Sequence, residues 1–127
     1  MSTILIVEDD PGIAQLLGTL LSFEGYEIQQ AQNGNSLIAA LGQVRPDLVI
    51  MDVHLKKGEG LDLLHELRAH PDPDTGRTPV LMMSGMDYRF RCRRAGANGF
   101  LQKPFDRRAL LEAIARIKEV ETTEGVD

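Results

Sequence analysis

Short strand-like segments alternate with helix-like segments along the chain, and this alternation restricts the fold more than any other feature. The expected strands are short and mostly apolar, and they lie at residues 3–7, 26–29, 47–52, 79–84 and 98–101. The expected helices carry apolar residues at helical spacing and lie at residues 11–23, 33–41, 60–69, 88–95 and 106–120. A strand–helix unit repeated five times predicts an α/β, doubly wound (βα)5 sandwich, with a five-stranded parallel sheet between two layers of helices.

The length of the chain allows one such unit. Its 127 residues suit a single domain, and a hydrophobic content of 43% supplies one core. We assign residues 1–121 to this domain and expect the polar tail at 122–127 to fray. Residues 70–77, HPDPDTGR, predict an exposed turn.

Charge and cysteine content exclude several classes of protein. The net charge of −5 argues against general attraction to DNA or to an anionic membrane, so we expect neither partner. The single cysteine, Cys92, cannot form an intramolecular disulfide, and we expect it to be a bystander.

The chain has no signal-peptide pattern at its start and no apolar run near the roughly 20 residues of a membrane helix. A cytoplasmic location is therefore expected.

Polar side chains follow four of the five expected strands. The stretch ILIVEDD, residues 4–10, places Glu8 and Asp9 after the first strand, while Asp10 can cap the helix that begins at Pro11. The other polar strand ends are Asp52, Ser84 and Lys103. Because the carboxyl ends of parallel strands share one edge of the sheet, these side chains should form a single site.

The residue types in this group indicate phosphoryl chemistry. Clustered carboxylates need a cation, and Mg²⁺ prefers hard oxygen ligands of this kind. A carboxylate can also attack phosphorus and form an aspartyl phosphate. A metal ion and a lysine would neutralise the charge of the transferred group, and a hydroxyl could hydrogen-bond to it.

The chain resembles the receiver domain of bacterial two-component response regulators. The resemblance covers roughly residues 3–120 and is carried by ILIVEDD, LVIMDVHL (48–55), PVLMMSG (79–85) and GANGFLQKPF (96–105). It implies the strand order 2-1-3-4-5 and a cis peptide bond between Lys103 and Pro104.

The resemblance also implies roles for individual residues. Asp52 would accept a phosphoryl group from a sensor histidine kinase or a histidine phosphotransfer protein. Mg²⁺ would be held by Glu8, Asp9, Asp52 and the backbone carbonyl of His54. Lys103 would pair with the phosphoryl group, and Ser84 would move to hydrogen-bond to it. Such a protein is not a conventional enzyme, because it catalyses its own phosphorylation and slowly hydrolyses the product.

Four positions keep an alternative interpretation. Phe100 matches the switch aromatic of the family, although a plain core aromatic is the alternative. The side chains of His54 and Met86 stand where the family tunes the loss of the phosphoryl group to water, or they are ordinary rim residues. Ser84 could instead satisfy a local backbone group.

Three features depart from the family pattern, and the last two lie in the predicted partner face. Lys56 stands where a proline is common, so the loop after Asp52 should be less rigid. The segment between Ser84 and Lys103 is short, which predicts a short or irregular fourth helix. That helix carries Arg89, Arg91, Arg93 and Arg94. These arginines form either a solvated face or a binding surface for a downstream, acidic protein partner.

Two hypotheses about function remain open on the sequence alone. The first is a phosphorylation-controlled binding module, either a single-domain regulator or the receiver part of a longer protein. Phosphorylation of Asp52 would then switch the face formed by helix 4, strand 5 and helix 5. The second is a pseudo-receiver that binds its partner without phosphorylation.

Overall fold

A five-stranded parallel sheet forms the centre of the protein in a computed structural model that describes residues 2–31, 34–55 and 58–126. We number only the strands of this sheet. They are β1 (Thr3–Val7), β2 (Glu27–Ala31), β3 (Leu48–Asp52), β4 (Val80–Ser84) and β5 (Gly99–Gln102). Their order is β2-β1-β3-β4-β5, and every neighbouring pair is parallel. The predicted fold class and strand order are confirmed.

Five helices connect or follow these strands. They are α1 (Pro11–Phe23), α2 (Gly34–Val44), α3 (Gly60–Arg68), α4 (Arg89–Ala95) and α5 (Arg107–Val126). Helix α4 has 7 residues, as its short segment predicts. The expected end of the last helix near Val120 is wrong, since α5 runs to Val126. The frayed tail stays a prediction, and the expected start of α2 at Asn33 lies outside the described residues. None of the helices in these ranges combines the length and apolar composition that crossing a membrane requires.

The sheet separates two apolar layers. Successive residues of β1 alternate between them: Leu5 and Val7 pack with α2, α3 and α4, whereas Ile4 and Ile6 pack with α1 and α5. This alternation is the pleat of a strand that is buried on both faces. Cys92 on α4 lies in the first layer, where burial raises the pKa of its thiol to about 11. The thiol is therefore protonated at neutral pH, in keeping with the bystander role that we predict for it.

Aspartates cap the amino-terminal ends of two helices. Asp10 accepts hydrogen bonds from the N–H groups of Gly12 and Ile13 at 2.8 and 3.3 Å, and Pro11 takes the first helical position of α1. Asp106 accepts the N–H of Ala109 at 2.8 Å at the start of α5. The predicted cap at Asp10 is confirmed, and each aspartate satisfies an N–H group that a helix leaves unpaired at its first turn.

Two small elements were not predicted. A two-stranded antiparallel hairpin joins His54–Leu55 to Gly58–Glu59, and the loop containing Lys56 lies outside the described residues. A one-turn helix at Pro73–Gly76 replaces part of the turn expected at 70–77. Asp72 caps this helix by accepting the Asp74 N–H and the Thr75 hydroxyl, at 3.1 and 2.9 Å.

Arg68, at the end of α3, connects the two segments that precede β4 and β5 at the amino-terminal edge of the sheet. Its guanidinium donates to the carbonyl oxygens of Gly96, Gly76 and Thr78 at 3.0, 3.0 and 2.7 Å. It also donates to Asn98 Oδ1 at 2.9 Å, and Asn98 Oδ1 accepts the N–H of Val80 at 2.9 Å. One side chain therefore satisfies polar groups that precede both β4 and β5.

Replacing Arg68 by alanine is expected to lower the free energy of unfolding by about 3 kcal/mol, because several partly buried acceptors lose a charged donor at once. Arg68→Lys should recover little of this loss, since an ammonium cannot reproduce the planar fork. Urea denaturation measures both changes. The control is Arg77→Ala, which removes an exposed side chain that pairs with Asp74 at 3.4 Å. Equal, small losses for Arg68→Ala and Arg77→Ala would contradict the prediction.

Candidate functional site

The ammonium group of Lys103 lies between two carboxylates at the carboxyl edge of the sheet. Its Nζ is 2.7 Å from Asp52 Oδ2 and 3.1 Å from Glu8 Oε1. Glu8 follows β1, Asp52 ends β3 and Lys103 follows β5, so three separate strands deliver these groups to one point. The side chain of Glu8 is only 2% exposed. A lysine therefore stands where clustered acids require a positive charge.

The pKa values of the two carboxyl groups shift in opposite directions. Burial, reinforced by the neighbouring Asp52, raises the pKa of Glu8 from 4.5 to about 7, against the lowering effect of Lys103. Burial alone would raise the pKa of Asp52, but its contacts with Glu8, Lys103 and the His54 N–H outweigh burial and lower it. That N–H donates to Asp52 Oδ1 at 2.9 Å. Asp52 is thus the carboxylate that stays ionised, as a nucleophile must.

An open pocket surrounds these three groups, and its residues fit a hard cation. Besides Glu8, Asp52 and Lys103, the pocket is lined by Asp9, Asp10, Pro11, Ile13, His54 and Leu55. Glu8 Oε2 is buried and has no hydrogen-bond partner among the described residues. An unpartnered buried carboxylate oxygen beside further carboxylates is a donor set that suits Mg²⁺.

The expected metal ligands are close together but are not arranged around one point. Across the described ranges, no three acidic, histidine or cysteine side chains converge on a position where they could hold a metal ion. The position of Lys103 between Glu8 and Asp52 explains this arrangement, because the ammonium group provides their countercharge. The predicted set of Glu8, Asp9, Asp52 and the His54 carbonyl remains a proposal.

Ser84 ends β4 and Phe100 lies within β5, and neither is among the described residues that line this pocket. Ser84 is buried, and its Oγ accepts the N–H of Met86 at 3.1 Å. This is the local backbone contact that the sequence left open as an alternative for Ser84. Phe100 is half-buried, and the guanidinium carbon of Arg89 lies 5.9 Å from its ring centroid. The predicted switch roles of both residues remain proposals.

The rim of the pocket contains an aromatic contact that sequence reasoning missed. The ring of His54 meets Tyr88 edge-on, with 5.3 Å between centroids, and His54 Nδ1 lies 3.4 Å from Glu59 Oε2. Met86, predicted beside His54 as a rim residue, is 63% exposed. Tyr88 begins the expected fourth helix, and nothing in the sequence indicates that its ring meets His54.

Gly60 was also missed, although it positions Asp52. It is the first residue of α3, and its N–H donates to the carbonyl of Val53 at 2.7 Å. A Cβ atom at residue 60 would lie 2.1 Å from the carbonyl oxygen of Asp52. Only glycine lets α3 begin this close to the end of β3.

The four arginines predicted as a partner face all lie on α4 and are exposed. Arg91 lies over the ring of Tyr88 and Arg94 over that of Phe90, at 5.4 and 5.7 Å from the centroids. Aromatic rings therefore support three of the four guanidinium groups, including Arg89. Such stacking is worth about 0.5–1 kcal/mol at an exposed site and orients the charge.

We expect Glu8→Gln to stabilise the metal-free protein above neutral pH. A carboxyl group whose pKa rises from 4.5 to about 7 on folding favours its protonated form in the fold. Its contribution to stability is therefore complete below pH 4.5 and is lost as the pH rises to about 7. The loss is on the order of 3 kcal/mol in wild type and absent in the variant.

Urea denaturation in EDTA at pH 5 and pH 8 tests this prediction. The excess stability of Glu8→Gln over wild type should grow between the two pH values. The titration of Asp52 does not interfere, because its pKa lies below 3.8 and its contribution is already complete at pH 5. Glu66→Gln, an exposed change on α3, is the control and should show no such growth. A pH-independent difference for Glu8→Gln would refute the prediction.

Comparison with known proteins identifies related sequences. A family model described as the response regulator receiver domain matches residues 4–115. A probable transcriptional regulatory protein, TcrX of Mycobacterium tuberculosis, is 35% identical over 98% of this chain and 51% of its own length. The DNA-binding dual master transcriptional regulator RpaA of Synechocystis is 36% identical over 93% of this chain and 48% of its own. The chain spans about half the length of these two relatives.

Solved structures show the same architecture. A putative response regulator from Chloroflexus aurantiacus superposes with a TM-score of 0.84 at 33% identity, covering 91% of this chain and 96% of that one. The chemotaxis response regulator CheY4 of Vibrio cholerae gives a TM-score of 0.83 at 28% identity, covering 92% and 98%.

Proposed function

The chain belongs to the response regulator receiver domain family, and on this premise we propose that Asp52 accepts a phosphoryl group in a Mg²⁺-dependent reaction. The observation that carries the proposal is the pairing of Asp52 with Lys103 at 2.7 Å beside a buried, unpartnered oxygen of Glu8. One carboxylate is held ionised, a second carries a raised pKa, and a cation stands between them.

The proposed donor is a phosphohistidine on a sensor histidine kinase or a histidine phosphotransfer protein. An oxygen of Asp52 forms the new O–P bond while the P–N bond to the donor imidazole breaks, and the bonding pair leaves with that nitrogen. Lys103 then pairs with a phosphoryl oxygen instead of the carboxylate. Mg²⁺, held by Glu8, Asp9, Asp52 and the His54 carbonyl, would supply the remaining charge neutralisation.

Phosphorylation would change the surface on which α4, β5 and α5 meet. The Ser84 hydroxyl, which now accepts the Met86 N–H, would turn to donate to the new phosphoryl group. Phe100 would follow it inward, and the altered face would engage a downstream protein partner. We propose a cytoplasmic location for the protein. Our expectation that these residues do not bind DNA finds no support in the comparisons, since one relative is named as DNA-binding.

The pseudo-receiver remains the second candidate, because the predicted metal ligands do not converge in the described residues. Such a protein would bind its partner equally well with and without a phosphoryl donor. The paired Asp52 and Lys103 argue against it, since a binding module has no need for an ionised carboxylate beside a half-buried lysine.

Intact mass spectrometry tests the proposed function directly. The wild-type chain is incubated with acetyl phosphate in Mg²⁺ or in EDTA. We expect one added phosphoryl group in Mg²⁺ and none in EDTA, with the modification mapping to the peptide that contains Asp52. No addition in Mg²⁺, from acetyl phosphate or from a phosphohistidine donor, would leave the pseudo-receiver as the better account.

A further inference from the structure

A cavity between α4, β5 and α5 concentrates positive charge on a protein that is acidic overall. Its volume is about 170 Å³, and its lining includes Arg89, Arg93 and Arg116 together with Asn98 and Phe100. Arg89 and Arg93 come from α4, whereas Arg116 comes from α5, so two helices contribute charge to one concavity. The chain as a whole carries a net charge of −5.

These three arginines have no acidic partner among the residues that the structure describes. No carboxylate lies within ion-pairing distance of any of them in the parts of the chain that the structure describes. The sequence from Tyr88 to Phe105 contains no acidic residue at all. Like charges that share a cavity repel one another, so an anion placed between them would relieve that repulsion.

An aromatic contact orients one of the arginines that line the cavity. The guanidinium of Arg89 lies over the ring of Phe100, with its carbon 5.9 Å from the centroid, and both residues line the cavity. A cation–π contact leaves the N–H groups that point away from the ring available for hydrogen bonds. The aromatic wall therefore reduces the freedom that Arg89 would lose on binding.

We propose that this cavity, which Arg89, Arg93 and Arg116 line without an acidic partner among the described residues, binds a phosphate-type oxyanion. A tetrahedral dianion offers several acceptor oxygens to the arginine donors and matches more of their charge than one carboxylate can. The half-buried ring of Phe100 can take an apolar group attached to the phosphate. The site is separate from Asp52 and requires neither phosphorylation nor Mg²⁺.

Nuclear magnetic resonance titration of the full chain in EDTA tests the proposal, with inorganic phosphate and phenyl phosphate as probes at constant ionic strength. We expect saturable shifts of the backbone amides at residues 97–100, which line the cavity. Tighter binding of phenyl phosphate than of inorganic phosphate would indicate a site for phosphate esters. Equal binding of the two probes would indicate a site for the phosphate group alone. Shifts that do not saturate, or that centre on Asp52, would overturn the proposal.

Two double variants separate the cavity from general charge. Arg93→Gln with Arg116→Gln removes two lining guanidiniums, and Arg91→Gln with Arg94→Gln removes the same charge from exposed positions of α4 outside the cavity. The first pair should weaken binding roughly tenfold or more, since it loses charge-assisted hydrogen bonds. The second should weaken it only about twofold through the altered field. Equal weakening by both pairs would show diffuse attraction and overturn the proposal.

Discussion

Asp52→Asn is expected to abolish phosphoryl incorporation from acetyl phosphate in Mg²⁺, under conditions in which wild type gains one group. The amide has the shape of the carboxylate, and its oxygen can still accept the His54 N–H that now lies 2.9 Å from Oδ1. It lacks the anionic oxygen that must attack phosphorus. Its NH₂ group would also face the ammonium of Lys103, which now lies 2.7 Å from Oδ2.

The control for this experiment is Asp62→Asn, an exposed change in the first turn of α3 that should incorporate as wild type does. Circular dichroism and urea denaturation establish that both variants are folded. Incorporation into Asp52→Asn at the wild-type level would show that another residue is the acceptor. The assignment of Asp52 would then be wrong even if the chain is phosphorylated.

Gly60→Ala should damage both the fold and the site. The added Cβ would lie 2.1 Å from the Asp52 carbonyl oxygen and 3.0 Å from the Asp52 carbonyl carbon and from Val53 Cα. All three are backbone atoms, so α3 or the end of β3 must shift. We expect a loss of about 3 kcal/mol in the free energy of unfolding. We also expect slower phosphorylation, by roughly 10- to 100-fold, because the acceptor carboxylate is displaced.

Gly42→Ala is the matched control, since it makes the same chemical change in an exposed part of α2 where a Cβ meets no atom within 4 Å. It should raise the free energy of unfolding by about 0.5–1 kcal/mol, through the higher helix propensity of alanine. Denaturation and the rate of mass increase are measured for both variants. A Gly60→Ala protein with wild-type stability and rate would contradict the close approach of α3 to Asp52.

The sequence predicts the central part of the fold well because the buried strands carry a strong signal. Residues 3–7 are apolar except for Thr3, and residues 48–52 are apolar except for Asp52. All of β3 is buried. The weakest strand prediction was β2, which was expected at 26–29 and lies at Glu27–Ala31. Only Ala31 of this edge strand is buried, so neither period nor composition fixes its register.

The polar ends of the strands predict where the site lies but not how its charges are balanced. Nothing in the sequence shows that Lys103 reaches Glu8 as well as Asp52, or that one oxygen of Glu8 is left without a partner. These facts depend on side-chain packing across three strands. The contacts of Arg68 were missed for the same reason, because its four acceptors lie 8 to 30 residues further along the chain.

The contacts of Arg68 all lie at one end of β4 and β5. They fix the amino-terminal ends of β4 and β5, whereas Ser84 and Lys103 stand at the opposite ends of the same two strands. Under the function proposed above, a displacement that begins at Ser84 or Lys103 would start at the ends of β4 and β5 that Arg68 does not hold.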